Sequence, residues 1–554
     1  MNNLLSKYLP RIDFDSYEDF LQNYTVNIPD DFNFAYDIVD GWAEIQPDKL
    51  ALRWCDDNFE IENYTFSQAR DLSNKAANFF IKHGIKKGDI VMLILKQRPE
   101  VWWCITALAK IGAVCIPGTY QLKEKDLVYR VNAAGIKMIV SVDDADVLDC
   151  IRLATPDCKT LETVAVDGDN PAEFIDFREE MKKSSKTLDK IQTKVTDPML
   201  IYFSSGTTGM PKMVLQDHRL ALGHIVTAKY WHQVIDNTVH MTQTDSGWAK
   251  FAWGKIYGQW ICGAAIGTYD WIKFEPEKML RAINLIKPTT FCAPATIYRY
   301  LIKEDLSVYN FDFIKHASMA GEALNPEVFH QIKQKTGMEL REGFGQTESS
   351  VLLANFPWFE VRPGSMGKPS PLYNLKLLDE NGRECEDGEI GAICVTNTDI
   401  KHPTGLFTGY YLDEESTNTC WKDGVYNTGD MAWRDADDYY WFVGRNDDLI
   451  KCSGYRIGPF EVESALQEHP SVLECAVTAA EDPMRGQVVK ATIVLAKGYE
   501  GTPELTKELQ NHVKTVTAPY KYPRIISYVD ELPKTISGKT KRKEIREMDK
   551  TVNN

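Results

Sequence analysis

With 554 residues, 44% of them hydrophobic, and a net charge of −16, the chain is long enough for more than one domain and too acidic for a general nucleic-acid-binding surface. Its twelve cysteines are scattered without a Cys-x-x-Cys pair, which argues against a disulfide framework or a zinc site and suggests reduced thiols in a cytoplasmic protein. Apolar stretches are interrupted, as by Lys110 between Val101 and Pro117, so no membrane insertion is expected; residues 1–20 read as neither a secretory signal nor an Arg-rich transit peptide.

In chain order, residues 64–142 alternate two periods. Ala69, Leu72, Ala76 and Phe79 recur at helical spacing, and Gly84 stops that helix. Asp89 to Leu95 predicts a short strand, Val101 to Ile111 a helix ending at Gly112, and Val114 to Ile116 a strand ending before Pro117. Leu122 to Ala134 predicts a helix and Lys137 to Val142 a strand; helices between strands imply parallel β-α-β units. Gln121, taken alone, reads as an exposed loop residue.

Met199, Leu200 and Ile201 read as a buried strand. After it, Ser204, Ser205, Gly206, Thr207, Thr208, Gly209, Met210, Pro211 and Lys212 place four hydroxyls, two glycines and a lysine in nine residues. Glycines let successive N–H groups converge on an anion, hydroxyls add donors and Lys212 adds charge, which suits the β- and γ-phosphates of a nucleotide. The Gly-Lys-Ser/Thr of a Walker A loop is absent at the required spacing. Farther on, Gly247, Trp248, Ala249, Lys250 and Trp253 open an aromatic-rich segment that could wall an apolar pocket, although most of its rings, such as Tyr257 and Trp260, read as ordinary core. A lysine there must point away, meet a partner or serve a polar ligand, because an unpaired buried ammonium is costly.

Lys287 to Pro294 is strand-like, and Ala320, Gly321, Glu322 and Ala323 form a turn. Glu342, Gly343, Phe344, Gly345, Gln346, Thr347 and Glu348 set an aromatic between glycines, able to stack on a base, ahead of adjacent hydroxyl and carboxylate groups able to share a phosphate oxygen and a hard cation. Asp430 follows a Thr-Gly turn, where a carboxylate can accept ribose hydroxyls. Gly444 to Lys451 is a polar junction between short aromatic strands (Tyr439 to Val443) and a compact α+β unit: helix Pro459 to Glu468, strands Glu474 to Ala479 and Val488 to Leu495, and helix Thr506 to Val516. Residues 485–554 hold 14 basic and 8 acidic side chains, a surplus of six in an acidic chain.

Taken together, the blocks at 202–212, 319–324, 341–349, 426–430, 444–451 and 532–539 resemble those of the adenylate-forming superfamily, which includes acyl-CoA synthetases, luciferases and adenylation domains. The chain is most similar to the medium-chain acyl-CoA synthetase group. The resemblance implies an α/β fold: a large N-terminal domain (1–446) of α/β sheets flanked by helices plus a distorted β-barrel, and a small mobile α+β C-terminal domain (447–554). It implies ligation of a carboxylic acid to CoA with ATP and Mg²⁺, through an acyl-adenylate, and it admits a homodimer. A carrier-protein-loading or luciferase-like adenylating enzyme is the alternative. By matching motif positions, Ser204 to Lys212 grip phosphates, Gly321 to Ala323 and Glu342 to Thr347 surround the nucleotide, Asp430 and Arg445 bind ribose, and Glu348 holds Mg²⁺. Lys539, otherwise an exposed lysine in a Ser-Gly loop, matches the lysine of the first half-reaction. Asp447 matches the hinge. Gln121, Ser453, Gly454, Tyr455, Arg456, Arg485 and Lys514 match CoA-contacting positions. Trp248, Ala249, Lys250, Trp253, Ala320 and Gly345 match the acyl pocket. Gly345 stands where acetate-specific members have tryptophan, so the acid is expected to exceed acetate in size; medium straight-chain, branched short-chain and aromatic acids all remain open.

Overall fold

The computed structural model describes residues 4–169, 172–204, 210–452, 455–482, 485–534 and 540–552, and all counts below refer to them. The first expected helix spans Phe66–Lys82. Thr65 starts it with a reciprocal cap: its Oγ1 accepts the Gln68 N–H at 3.3 Å while Gln68 Oε1 accepts the Thr65 N–H at 2.8 Å. The helix Glu100–Ile111 packs beside it, buried from Val101 onward, and ends on Gly112 at φ 69°, a left-handed C-cap that favours glycine. Lys110 is buried in that packing because Asp40 and Asn74 accept its ammonium at 2.7 and 2.6 Å. The strands Ile90–Ile94, Val114–Pro117 and Ile136–Val142 pair in parallel, as the β-α-β alternation predicts.

These strands belong to an eight-stranded sheet with the order Gly409–Tyr410, Lys212–Asp217, Pro198–Ser204, Val114–Pro117, Ile90–Ile94, Ile136–Val142, Thr163–Asp167 and Ile175–Asp176. Pro198–Ser204 is the strand at which its sense changes: parallel to Val114–Pro117 on one side and antiparallel to Lys212–Asp217 on the other. A second, fourteen-stranded sheet changes sense in the same way at Leu340–Phe344, which is parallel to His316–Met319 and antiparallel to Leu353–Ala354. Its parallel flank continues through Thr290–Ala293, Val239–Thr242, Ala265–Tyr269 and Leu50–Cys55. Its antiparallel flank, the region of the expected barrel, runs through Ser365–Pro369, Tyr440–Arg445, Val425–Arg434, Gly391–Thr396 and Asn374–Leu378. Both strands run into segments singled out in the sequence, the first into Ser204–Lys212 and the second into Gly345–Glu348.

After Arg445 the chain builds a separate five-stranded sheet with its own core of Ile450, Ile457, Val462, Leu466, Val477, Ile493, Leu509 and Val513. Its two longest strands, Val472–Asp482 and Gly486–Leu495, are longer than the apolar pattern predicts. Backbone pairing continues through the polar Glu481↔Gln487 and Asp482↔Gly486 positions, which hydrophobicity does not reveal.

Candidate active site

Pro198–Ser204 pairs antiparallel with Lys212–Asp217, Ser204 standing opposite Lys212, so the glycine- and hydroxyl-rich motif is flanked by two strands rather than by a strand and a helix. Ser205 to Gly209 lie outside the described residues, as do Ser453, Gly454 and Lys539. On the returning strand, Val214 pairs with Tyr410, whose ring lies 4.7 Å from the Lys212 ammonium. The Tyr410 hydroxyl donates to Glu348 Oε1 at 2.9 Å. Gln216 Nε2 donates to the Thr347 carbonyl at 3.1 Å, so Gln216 and Tyr410, on adjacent strands, hold the Thr347–Glu348 segment at two points. Burial pushes the Glu348 carboxyl up, and the Tyr410 bond works against that by favouring the anion. Among the described residues no three His, Cys, Asp or Glu side chains gather as a metal centre. A divalent cation beside Glu348 would therefore draw most of its oxygen ligands from phosphate and water, the usual arrangement for Mg²⁺.

Gln346 ties this corner to the ribose motif. Its Nε2 donates to Asp430 Oδ2 and, at 2.8 Å, to the Thr428 carbonyl, while its Oε1 accepts from Tyr426 at 2.7 Å. Asp430 stands opposite Arg445 in the antiparallel register, with Arg445 Nη1 3.5 Å from Asp430 Oδ1 and donating to the Thr428 carbonyl at 2.9 Å. Thr347, Glu348, Asp430 and Arg445 thus converge. In the adenine turn Gly321 sits at φ 102°. The Glu322 carboxylate beside it accepts from Thr296 at 2.6 Å and Arg299 at 3.1 Å, so it braces the turn; Ala323 follows. Glu342 is buried with Oε2 unpartnered, and desolvation holds its carboxyl far above the usual carboxylate range. The Phe344 ring lies 6.2 Å from that of Phe442.

On the acyl side, two glycines of the switch segment each admit an indole. A Cβ on Gly343 would lie 2.5 Å from Trp231, and one on Gly345 would lie 2.3 Å from Trp253. The space that Gly345 leaves is therefore filled by Trp253. Lys250 meets a partner: its ammonium donates to the Ala320 carbonyl at 2.6 Å. Trp248 and Ala249 are half-buried at the start of the same short helix, Lys250–Gly254. The turn before them is fixed from below. Asp245 Oδ1 accepts the Gly247 N–H at 2.7 Å, and Gly247 lies so close to Thr119 that a Cβ would fall 2.2 Å from its backbone nitrogen. Burial pulls Lys255 beneath this turn down to about 7 and pushes Asp245 up to about 6.

The CoA candidates are more dispersed. Gln121 is exposed, and its amide donates to the Tyr120 hydroxyl at 3.5 Å. Tyr455 stacks on Tyr520 with ring centroids 4.2 Å apart, and Arg456 pairs with Glu380 across the junction. Arg485 lies 3.7 Å from Asp482, and the Lys514 ammonium sits 4.0 Å from the Tyr522 ring. The hinge candidate Asp447 lies in the turn Asn446–Asp448, 3.7 Å from Arg445. Sequence reasoning missed Tyr410, Gln216 and Tyr520. Tyr410 follows a Thr-Gly pair and reads as an ordinary strand residue; only pairing with the Lys212 strand gives it a role.

The AMP-binding enzyme family matches residues 39–411, and the AMP-binding enzyme C-terminal domain matches 461–539. The chain is 41% identical over 544 residues to mouse "Acyl-coenzyme A synthetase ACSM3, mitochondrial", covering 96% of this chain and 93% of that protein. It is 41% identical over 529 residues to human "Acyl-coenzyme A synthetase ACSM5, mitochondrial", covering 94% and 91%. The anthranilate CoA ligase AuaEII, solved in complex with anthranoyl-AMP, superposes with a TM-score of 0.87 at 27% identity, covering 95% of this chain and 99% of that one. The mitochondrial designation of the curated relatives overturns the cytoplasmic expectation. The cysteines are indeed free, but free thiols speak for a reducing environment without naming the compartment. The chain belongs to the AMP-binding enzyme family, among its acyl-coenzyme A synthetases.

Proposed function

We propose that this acyl-CoA synthetase joins a carboxylic acid larger than acetate, whether medium-chain, branched short-chain or aromatic, to CoA in two steps. The observation that carries this reading is the convergence of Lys212, Tyr410 and Glu348 with Gln346, Asp430 and Arg445. In the first step a carboxylate oxygen of the acid attacks the α-phosphorus of ATP and the bond to pyrophosphate breaks. In the second, CoA thiolate attacks the acyl carbon and AMP leaves. Both nucleophiles belong to substrates, so no Ser-His or Cys-His pair is required.

The chain's part is positioning and neutralisation of charge. Asp430 and Arg445 orient the ribose, Thr347 meets the α-phosphate, and Lys212 with the phosphate turn receives the departing pyrophosphate. Glu348 holds Mg²⁺, which neutralises the phosphates when bound. Lys539 serves the first step. A swing of a C-terminal domain beginning at Asp447 then exchanges it for the Ser453–Arg456 turn. Arg485 and Lys514 meet the CoA phosphates.

The test is AMP and CoA-thioester formation over acids from acetate to dodecanoate, with 2-methylbutyrate and benzoate included. A CoA-dependent optimum above acetate is the expected result. AMP release without thioester would redirect the reading to a carrier-protein acceptor.

A further inference from the structure

The two aspartates of the hinge turn are held by different parts of the molecule. Asp447 lies 3.7 Å from Arg445, the arginine that also meets Asp430. Asp448 faces the other way: its Oδ1 accepts from Arg546 at 2.7 Å, and its Oδ2 lies 3.8 Å from Arg542. Arg542 in turn donates to both oxygens of Glu463 at 2.7 Å. Glu463 Oε1 also accepts the Val477 N–H at 2.8 Å. Glu463 and Asp448 keep only 10% and 11% of their side-chain surface exposed, so this is a largely desolvated network rather than a solvated surface pair.

The network joins four elements of the C-terminal unit: the hinge turn, the helix Pro459–Gln467, the strand Val472–Asp482 and the terminal helix Arg542–Val552. That terminal helix starts three residues after Lys539 in the chain. The helix also packs on the strand Val472–Asp482, with Ile545 in a cluster with Ala476, Val494 and Leu532. On either side of residues 535–539, Lys534 and Thr540 pair in a bridge and the Lys541 N–H donates to the Pro533 carbonyl at 2.8 Å.

We propose that Asp448, Glu463, Arg542 and Arg546 weld the residue after the pivot to the helix behind Lys539, so that rotation at Asp447 carries Lys539 as part of one rigid body. This rests on the two-step reading above. The four are positioning residues, since none touches a reacting atom. Residues 453–456 follow the pivot closely in the chain, and the paired strands Ile450–Cys452 and Tyr455–Ile457 are tied through Cys452↔Gly486 into the sheet, without recourse to the network.

The test is Arg546→Gln and Asp448→Asn in the full chain, singly and together, with Arg546→Lys as the conservative control. Adenylation, read as ATP–pyrophosphate exchange, is expected to fall about tenfold or more, as for loss of a charge-assisted bond, with thioester formation from supplied acyl-adenylate nearly unchanged and partial recovery in Arg546→Lys. The double variant is expected to lose no more than the worse single one, and hydrogen exchange is expected to rise across 542–552. Equal loss of both half-reactions, no loss in either, or unchanged exchange over 542–552 would overturn the proposal. Lys539→Ala measured in parallel tells the two readings apart: if it fails to split the half-reactions, the alternation reading falls, and rigid coupling then stands or falls on the exchange result.

Discussion

Trp253 lies where a side chain at residue 345 would be: a Cβ on Gly345 comes within 2.3 Å of the indole. On the proposed acyl-pocket assignment, the size limit therefore passes from residue 345 to residue 253. Gly345→Trp should consequently not convert the enzyme into an acetate-specific one; two indoles cannot share the space, and the variant should lose stability and activity toward every acid. Trp253→Ala should instead extend the preferred acid by several carbons, at a stability cost of about 3–5 kcal/mol for a truncated buried indole. Thioester formation over the acid panel, paired with thermal unfolding, reads both.

Lys539→Ala should lower adenylation about thousandfold, the scale seen when one preorganised charge-stabilising donor is removed, and leave thioester formation from supplied acyl-adenylate largely intact. Separate assays of the two half-reactions decide it, and a parallel drop in both would count against the domain swing.

Tyr410→Phe removes the donor that favours the Glu348 anion while leaving a ring under Lys212. Burial already holds the Glu348 carboxyl up, so adenylation that needs the carboxylate weakens as pH falls through that raised value. Losing the Tyr410 bond raises it further. The acid limb of the pH–rate profile should move to higher pH, with about a tenfold loss at its acidic end and a much smaller loss in the alkaline range. A uniform loss across pH would mean that Tyr410 acts through packing alone.

Glu342 gives a prediction about stability. Its folded-state carboxyl is held well above its unfolded value by burial, so the folded state binds the extra proton. Its contribution is fully present below the unfolded pKa and is lost as pH rises through the folded one. Glu342→Gln keeps the shape and cannot ionise, so its Tm advantage over the parent should be small near about pH 5 and grow toward about pH 8. A constant difference would show that Glu342 does not titrate in this range.

Much of the scaffold is legible in the sequence because it rests on period and punctuation. The helices 66–82 and 100–111 and the strands around them follow from apolar spacing and from Gly84 and Gly112. The nucleotide motifs are legible because they concentrate hydroxyls, glycines and carboxylates in short windows. What sequence does not carry is pairing between distant segments. Tyr410 gains its role only because Gly409–Tyr410 adds to the edge of the Lys212 strand, 198 residues away by the Tyr410–Lys212 numbering. Sequence places Trp253 near the acyl pocket, but only the fold shows that it and Trp231 occupy the space left by the glycines at 345 and 343. The polar outer turns of Val472–Asp482 and Gly486–Leu495 stay invisible to hydrophobicity because backbone bonds hold them.

Leu340–Phe344 borders a parallel neighbour on one side and an antiparallel one on the other. The residues proposed to measure the acid, Lys250 and Trp253 of the short helix Lys250–Gly254 and Ala320 after His316–Met319, belong to the parallel flank. Asp430 and Arg445, proposed to grip the ribose, belong to paired strands of the antiparallel flank. A change of acid can thus be made by altering side chains on one bank of this seam without disturbing the hydrogen-bonded register of the other. The chemistry is held constant by backbone, whereas the menu is written in side chains.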